Sequence, residues 1–128
     1  MLYITESYGK GRGVFTDKKI SRGGVIERCP ILEIPSGDLA MMTSTVLNNY
    51  YFCWGKNQGQ GALALGLGSL YNHSYTPNAV YIPKPEEKVI EFVSIKNILA
   101  NDEVTINYNG TPNDQSPLWS CDTIDWRK

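Results

Sequence analysis

The sequence of 128 residues contains little cysteine, no excess of either charge and no long apolar run. Its three cysteines are an odd number and none falls in a C-x-x-C spacing: Cys29, Cys53 and Cys121. This scarcity argues against a disulfide framework and against a four-thiolate zinc site, so we predict no metal. Unpaired thiols are most simply accommodated in a reducing, intracellular compartment.

The balance of charge argues against a second class of function. Lys and Arg number 12 and Asp and Glu number 13, which gives a formal net charge of -1. A protein that binds nucleic acid directly usually has a basic excess, so we expect no direct nucleic-acid contact. Near-neutrality still allows a basic protein or peptide as a partner.

Membrane association is also not expected. No apolar run approaches the roughly 18 residues of a membrane span, and residues 1–13 lack the apolar segment of a signal peptide. We therefore expect a cytoplasmic protein. With 41% hydrophobic and 20% charged residues, the composition predicts one globular domain over residues 1–128.

The most informative segment is residues 63–79, LALGLGSLYNHSYTPNA, in which an apolar run leads into a polar cluster. Asn72, His73 and Ser74 need hydrogen-bond partners if the apolar residues draw them into the interior. His73 is the only histidine of the chain. Two interpretations stay open here: a functional cluster, or an ordinary turn with a structural histidine, since Asn, Ser and Pro are turn residues.

Most of the remaining chain reads as short strands with one helix. The third strand is expected to be interrupted at Pro30. The helix is expected to have Ser36 as its N-cap and Asp38 in its first turn. Alternating apolar residues predict strands at residues 2–4, 14–15, 25–34, 80–82, 89–95 and 104–108. Apolar spacings of three and four predict a buried helical face formed by Leu39, Met42, Val46 and Leu47.

Two further patterns have both a functional and a plain structural interpretation. Residues 9–13 (GKGRG) suit either a backbone that approaches an anion or a hairpin turn. No helix pattern follows them, so the dinucleotide and P-loop fingerprints are excluded. Residues 50–54 (YYFCW) form an aromatic patch, for which a place in the core is favoured over a channel for a cation.

Three separated segments share one resemblance: GRGVF at residues 11–15, YNHSYTPN at 71–78 and DEVTINY at 102–108. In order and approximate spacing they resemble the SET domain, the family of AdoMet-dependent protein-lysine methyltransferases. The resemblance covers about residues 3–109 and leaves a tail over 110–128. It implies a mainly β fold, the β-clip, with several small sheets, a short helix and a C-terminal pseudoknot. In that pseudoknot the segment with Tyr108 passes through or beside the loop with Asn72 and His73.

The resemblance also implies roles for individual residues. The expected catalytic residues are Tyr108, Tyr50 and Tyr81. The expected residues of the lysine channel are Tyr71, Tyr81 and Tyr51. The residues expected to hold the cofactor, S-adenosyl-L-methionine, are Lys10, Gly11, Arg12, Gly13, Asn72, His73, Tyr108 and Trp119. For Trp119 the alternative of a residue that caps the core stays open.

The implied activity is methyl transfer from S-adenosyl-L-methionine to a lysine amine by in-line displacement, with S-adenosyl-L-homocysteine as product. A tyrosine at position 81 narrows the channel and favours mono- or dimethylation. The expected partner is a protein or peptide with a lysine. Some minimal members of the family form dimers, and a homodimer would add surface to the short insert at residues 36–61.

Two other classes of function remain as alternatives. One is a catalytically weak SET-like module that binds S-adenosyl-L-methionine or a peptide, although the presence of Tyr108, Asn72 and His73 together argues against it. The other is a β-rich interaction domain without a cofactor. The alternative to a cytoplasmic location is a secreted effector that acts in a host nucleus.

Overall fold

The computed structural model describes residues 1–56 and 59–118, and the fold over these ranges is mainly β, as predicted. The only α-helix described is α1, Ser36–Met42, and short 3₁₀ helices lie at Val46–Asn49 and Gly68–Leu70. The strands are β1 (Leu2–Ser7), β2 (Gly11–Thr16), β3 (Val25–Ile34), β4 (Phe52–Trp54), β5 (Gln60–Ala64), β6 (Asn72–His73), β7 (Ala79–Lys84), β8 (Val89–Ser94) and β9 (Glu103–Ile106).

The first sheet has the strand order β1-β2-β9-β6 and brings the three resembling segments side by side. Strands β1 and β2 form an antiparallel hairpin that closes at Ser7 and Gly11, so the glycine-rich residues 9–13 include a hairpin turn. Strand β9 pairs with β2 in an antiparallel manner. Strand β6 then runs parallel to β9, with Asn72 opposite Thr105 and His73 opposite Ile106. The passage of one segment through the other stays a prediction.

The second sheet has the order β4-β5-β3-β8-β7 and is organised around the long strand β3. The predicted break at Pro30 is wrong, because β3 is continuous and only changes partner there. Residues up to Pro30 pair with β8, and residues from Ile31 pair with β5. A proline cannot donate to a ladder, but the Pro30 carbonyl accepts a hydrogen bond from the Leu65 N–H at 2.9 Å.

The core contains residues of both sheets, so the two sheets share one interior. Phe92 of β8 is fully buried and stacks on the Tyr71 ring at 4.4 Å between centroids. Burial of such large apolar side chains is the main favourable term for folding. The core residues are Val14, Cys29, Ile31, Trp54, Ala62, Ala64, Tyr71, Ala79, Ile90, Phe92, Ile98, Val104 and Ile106.

The helix differs from its prediction in two ways. Its N-cap is Pro35 rather than Ser36, and no side chain caps it, although Asp38 does lie in the first turn. None of its residues is buried, and Val46 is 71% exposed in the separate 3₁₀ helix. The apolar spacing ran across the break after Met42, so it did not describe one helical face. No helix in residues 1–56 and 59–118 has the length and apolar character needed to span a membrane.

Candidate functional site

A cavity of about 750 Å³ is lined by segments that are distant in sequence. Small-molecule sites in proteins typically have volumes of about 300–1,000 Å³, so this cavity has the size of a ligand site. The lining combines the β1–β2 hairpin with the segment that leads into the polar cluster and ends at Asn72, and with the residues after β9. It consists of residues 10–12, 49–53, 68–72 and 108–111, with Tyr81, Pro83 and Leu118.

Most of the residues predicted for the site lie on this cavity. Gly13 and His73 do not line it, and Trp119 lies outside the described residues. The functional roles of all of them stay predictions. The predicted residues that the structure does bring together around the cavity are Lys10, Gly11, Arg12, Tyr50, Tyr51, Tyr71, Asn72, Tyr81 and Tyr108.

Tyr108 is held at both its backbone and its hydroxyl. The Tyr108 N–H donates to Nδ1 of His73 at 2.9 Å, and the Tyr108 hydroxyl donates to the Tyr71 carbonyl at 2.6 Å. Because His73 Nδ1 accepts, it carries no proton. His73 is fully buried, and its ring centroid lies 5.2 Å from that of Tyr108. His73 therefore positions Tyr108 from behind the cavity rather than lining it.

Asn72 is oriented by a carboxylate that sequence reasoning did not single out. Its side-chain amide donates to the Arg12 carbonyl at 3.0 Å and to Glu103 Oε2 at 2.7 Å. The other carboxylate oxygen of Glu103 accepts from the Ser7 hydroxyl at 2.7 Å. Glu103 is the first residue of β9. Only its place in the DEVTINY segment distinguished Glu103 in the sequence, and an acidic residue beside a turn is too common to indicate a role in the site.

The side chains of Glu103 and Asn72 also explain why position 13 is a glycine. A Cβ at this position would lie 2.2 Å from Glu103 Oε2 and 2.8 Å from Asn72 Nδ2. Real side chains do not approach that closely, so the absent side chain leaves the space that the carboxylate and amide occupy. Gly13 therefore acts on the site by close packing, without lining the cavity.

Positive charge lies on the hairpin side of the cavity. The Lys10 ammonium donates to the His73 carbonyl at 3.4 Å, and Lys10 itself lines the cavity. Arg12 also lines the cavity, and its carbonyl accepts the hydrogen bond from the Asn72 amide. An ammonium group fixed at the wall of a cavity suits an anionic group of a ligand.

The aromatic patch at residues 50–54 is divided between cavity and core, so its assignment to the core was wrong in part. Trp54 is buried at 2% exposure, whereas residues 50–53 line the cavity. Phe52 meets the Tyr81 ring edge-on at 4.9 Å between centroids. The Tyr81 hydroxyl donates to the Tyr108 carbonyl at 3.3 Å. Burial, with a smaller contribution from Cys53, raises the pKa of Tyr81 to about 12, so its hydroxyl keeps its proton.

Tyr71 reaches into the core with its ring and toward Tyr108 with its backbone. Its hydroxyl donates to Glu27 Oε1 at 2.7 Å, and the residue is 1% exposed. Burial first and the Glu27 carboxylate second raise the pKa of Tyr71 above its ordinary value. The channel role predicted for Tyr71 is not tested by these contacts. They show that its carbonyl is the acceptor for the Tyr108 hydroxyl.

Comparison of the sequence with known proteins gives one family. The SET domain family matches residues 11–109. A histone-lysine N-methyltransferase of Schizosaccharomyces pombe, specific for H3 lysine-37, is 34% identical over 108 residues, which are 84% of this chain and 72% of that protein. A histone-lysine N-methyltransferase of Yarrowia lipolytica, SET9, is 30% identical over 68% of this chain but only 11% of its own length.

Solved structures have the same fold. A Plasmodium falciparum protein assigned as a histone methyltransferase is 31% identical with a TM-score of 0.65, over 84% of this chain and 91% of that one. A chain of Polycomb Repressive Complex 2 from Chaetomium thermophilum has a TM-score of 0.73 at 20% identity, over 88% of this chain and 15% of its own, which shows the fold alone. The chain therefore belongs to the SET domain family and is a protein-lysine methyltransferase.

Proposed function

We propose that the cavity binds S-adenosyl-L-methionine together with a lysine side chain of a protein substrate, and that Tyr108 organises the transfer between them. One observation supports this most directly. Lys10, Asn72 and Tyr108 belong to three distant segments, yet all three line one cavity. A site that brings a donor and an acceptor together needs such convergence, because alignment supplies much of the rate enhancement.

The residues present fit this cofactor by their chemistry. The Lys10 ammonium suits the cofactor's carboxylate. The Asn72 amide nitrogen already donates to Arg12 and Glu103, which leaves its amide oxygen as the acceptor for the cofactor's amine. Aromatic rings such as Tyr108 suit a positively charged sulfonium. When bound, S-adenosyl-L-methionine supplies an electrophilic methyl group, and S-adenosyl-L-homocysteine is the product.

The aromatic lining would act on the lysine. A free lysine has a pKa of about 10.4 and is mostly protonated at neutral pH, so it is a poor nucleophile. Burial among Tyr50, Tyr51, Phe52 and Tyr81 disfavours its charged form. The Tyr108 hydroxyl, fixed on the Tyr71 carbonyl, would limit the approach of the amine to one direction. Tyr81 narrows the same space, which favours mono- or dimethylation.

The relatives suggest which substrate to test first. Proteins that act on histone lysines are among the similar sequences, and the chain spans 72% of the one from Schizosaccharomyces pombe. A histone tail is therefore the first candidate.

Exposed apolar side chains of the insert, Met41 and Val46 at 71% each, support a homodimer that would enlarge the substrate surface. The cytoplasm, or a host nucleus for a secreted effector, stays the proposed location.

The function is tested by labelled-methyl transfer to histones, basic peptides and whole lysate. We expect transfer by the wild type, and at least about a hundredfold loss in Tyr108→Phe with binding of S-adenosyl-L-methionine retained. Tyr3→Phe is the matched control, because the Tyr3 hydroxyl donates to Asn101 in an exposed contact of the first sheet and neither residue lines the cavity. Binding without transfer would support a weak binding module instead. No binding at all would support an interaction domain without a cofactor.

A further inference from the structure

A carboxylate with no part in the proposed chemistry lies behind one wall of the cavity. Glu27 of β3 accepts the Tyr71 hydroxyl on Oε1 at 2.7 Å and the Leu67 N–H on Oε2 at 3.0 Å. Both donors belong to residues 66–71, and residues 68–71 line the cavity. One side chain therefore fixes this wall at two points. Hydrogen bonds to a charged acceptor are the stronger ones in proteins.

The backbone of the wall is pressed closely onto this carboxylate. Gly66 has a φ of +65°, and a Cβ there would lie 2.6 Å from Glu27 Oε2. Cys29, two residues along β3, lies on the same side, and burial with the charge of Glu27 raises the pKa of its thiol to about 12. The thiol therefore stays protonated beside the carboxylate. Space and charge around Glu27 leave its side chain little freedom to move.

Tyr71 connects this anchor to Tyr108. Its hydroxyl is bound to Glu27, its ring is stacked on Phe92 at 4.4 Å, and its carbonyl accepts the Tyr108 hydroxyl at 2.6 Å. The ring and the carbonyl of one residue move together when the side chain is held at its far end. The position of the Tyr108 hydroxyl thus depends on a contact in the core.

We propose that Glu27 is a positioning residue for methyl transfer, which anchors Tyr71 and thereby fixes the carbonyl that holds the Tyr108 hydroxyl. Glu27 touches neither the substrate nor the cofactor in this proposal. The proposal rests on the proposed function for its kinetic consequence, whereas the contact that it describes can be tested without any activity.

The kinetic test compares the same substitution at two glutamates of one strand. Glu27→Gln is expected to lower kcat about tenfold, the effect of weakening one charge-assisted hydrogen bond, with KM for both substrates changed less than about twofold. Glu33→Gln is the control, because Glu33 accepts the Trp54 Nε1–H at 3.1 Å and neither residue lines the cavity. If Glu27 had a purely structural role, Glu27→Gln would lower kcat by the same factor in the wild type and in Tyr108→Phe. If it acts through the Tyr108 hydroxyl, Glu27→Gln should change the residual rate of Tyr108→Phe less than about twofold, because that hydroxyl is already absent.

A spectroscopic test covers the case in which a Glu27 variant does not fold or the residual rate is too low to measure. Wild type and Tyr71→Phe are labelled with ¹³C at the tyrosine hydroxyl carbon, and the Tyr108 signal is identified by its loss in Tyr108→Phe. The Tyr108 signal should move in Tyr71→Phe and stay unchanged in Glu33→Gln. An unmoved Tyr108 signal in folded Tyr71→Phe would overturn the proposal, and so would an unchanged kcat in folded Glu27→Gln. An inactive wild type would refute the proposed function alone, because the shift is measured without turnover.

Discussion

Replacing Gly13 by alanine tests the packing on which Asn72 depends. The new Cβ would lie 2.2 Å from Glu103 Oε2 and 2.8 Å from Asn72 Nδ2, so the carboxylate must leave its place. Gly13 sits in the regular β1–β2 ladder opposite Thr5, and the substitution therefore acts by volume. When Glu103 moves, its bonds to Ser7 and Asn72, both 2.7 Å, are lost together.

The size of the effect follows from those two bonds. A hydrogen bond to a charged group contributes about 1.5–3 kcal/mol net to stability. Glu103 is only partly buried, so water replaces some of what is lost, and we expect a decrease of about 2–4 kcal/mol in the free energy of unfolding. For a domain of this size that corresponds to a melting temperature lower by about 8–16 °C. Binding of S-adenosyl-L-methionine should weaken as well, because the Asn72 amide loses its orientation.

Urea unfolding and calorimetric titration with S-adenosyl-L-methionine measure the two effects. Gly37→Ala is the control: no atom lies within 4 Å of a Cβ there, so stability should be unchanged or slightly higher. Shortening the obstructing side chain in Gly13→Ala/Glu103→Ala should make the double variant more stable than the sum of the single changes predicts. If Gly13→Ala melts within about 2 °C of the wild type, the steric reasoning is wrong.

Three further predictions concern two residues of the site and one cysteine of the core. Tyr81→Phe removes the hydroxyl that donates to the Tyr108 carbonyl, so mass spectrometry of product lysines should show higher methylation states, and unchanged product states would contradict this. His73→Ala leaves the Tyr108 N–H without its acceptor, which should lower the free energy of unfolding by about 1–3 kcal/mol and weaken cofactor binding; wild-type values for both would remove His73 from the site. Burial raises the pKa of the Cys29 thiol from 9.0 to about 12. As pH rises, the thiol therefore loses its proton in the unfolded chain before it does so in the folded one. The free energy of unfolding should fall between about pH 9 and pH 12 for this reason. That slope should decrease by up to about 1.4 kcal/mol per pH unit in Cys29→Ala, as urea unfolding at several pH values can show.

The parts of the fold that local patterns determine were predictable from the sequence. The alternation of apolar residues gave β3 its observed bounds, Val25–Ile34, and the three resembling segments do meet in one sheet. The prediction of one buried helical face was wrong, because the spacing of apolar residues does not show that the helix ends at Met42. The prediction of a break at Pro30 was wrong, because the strand changes partner there and the partners are distant in sequence.

The sequence predicted residues that line the cavity, and also Gly13 and His73 within the resembling segments, but not the two glutamates that act from behind the cavity. Tyr108 and Asn72 stand in a recognisable motif, and the structure places both on the cavity. Glu27 and Glu103 act through partners 44 and 31 residues away. A lone glutamate at a strand carries no local sign of such a partner, because surface glutamates have the same appearance in sequence.

The pairing of β6 with β9 has a consequence for how the protein is made. It consists of two residue pairs, Asn72 with Thr105 and His73 with Ile106, and it closes a long loop of chain. Contacts between distant residues form late in folding, because loop closure costs entropy before the contact stabilises it. A nascent polypeptide thus cannot complete the lining of this cavity until Tyr108 has left the ribosome, so the segments made earlier must wait for the later one before the cavity forms.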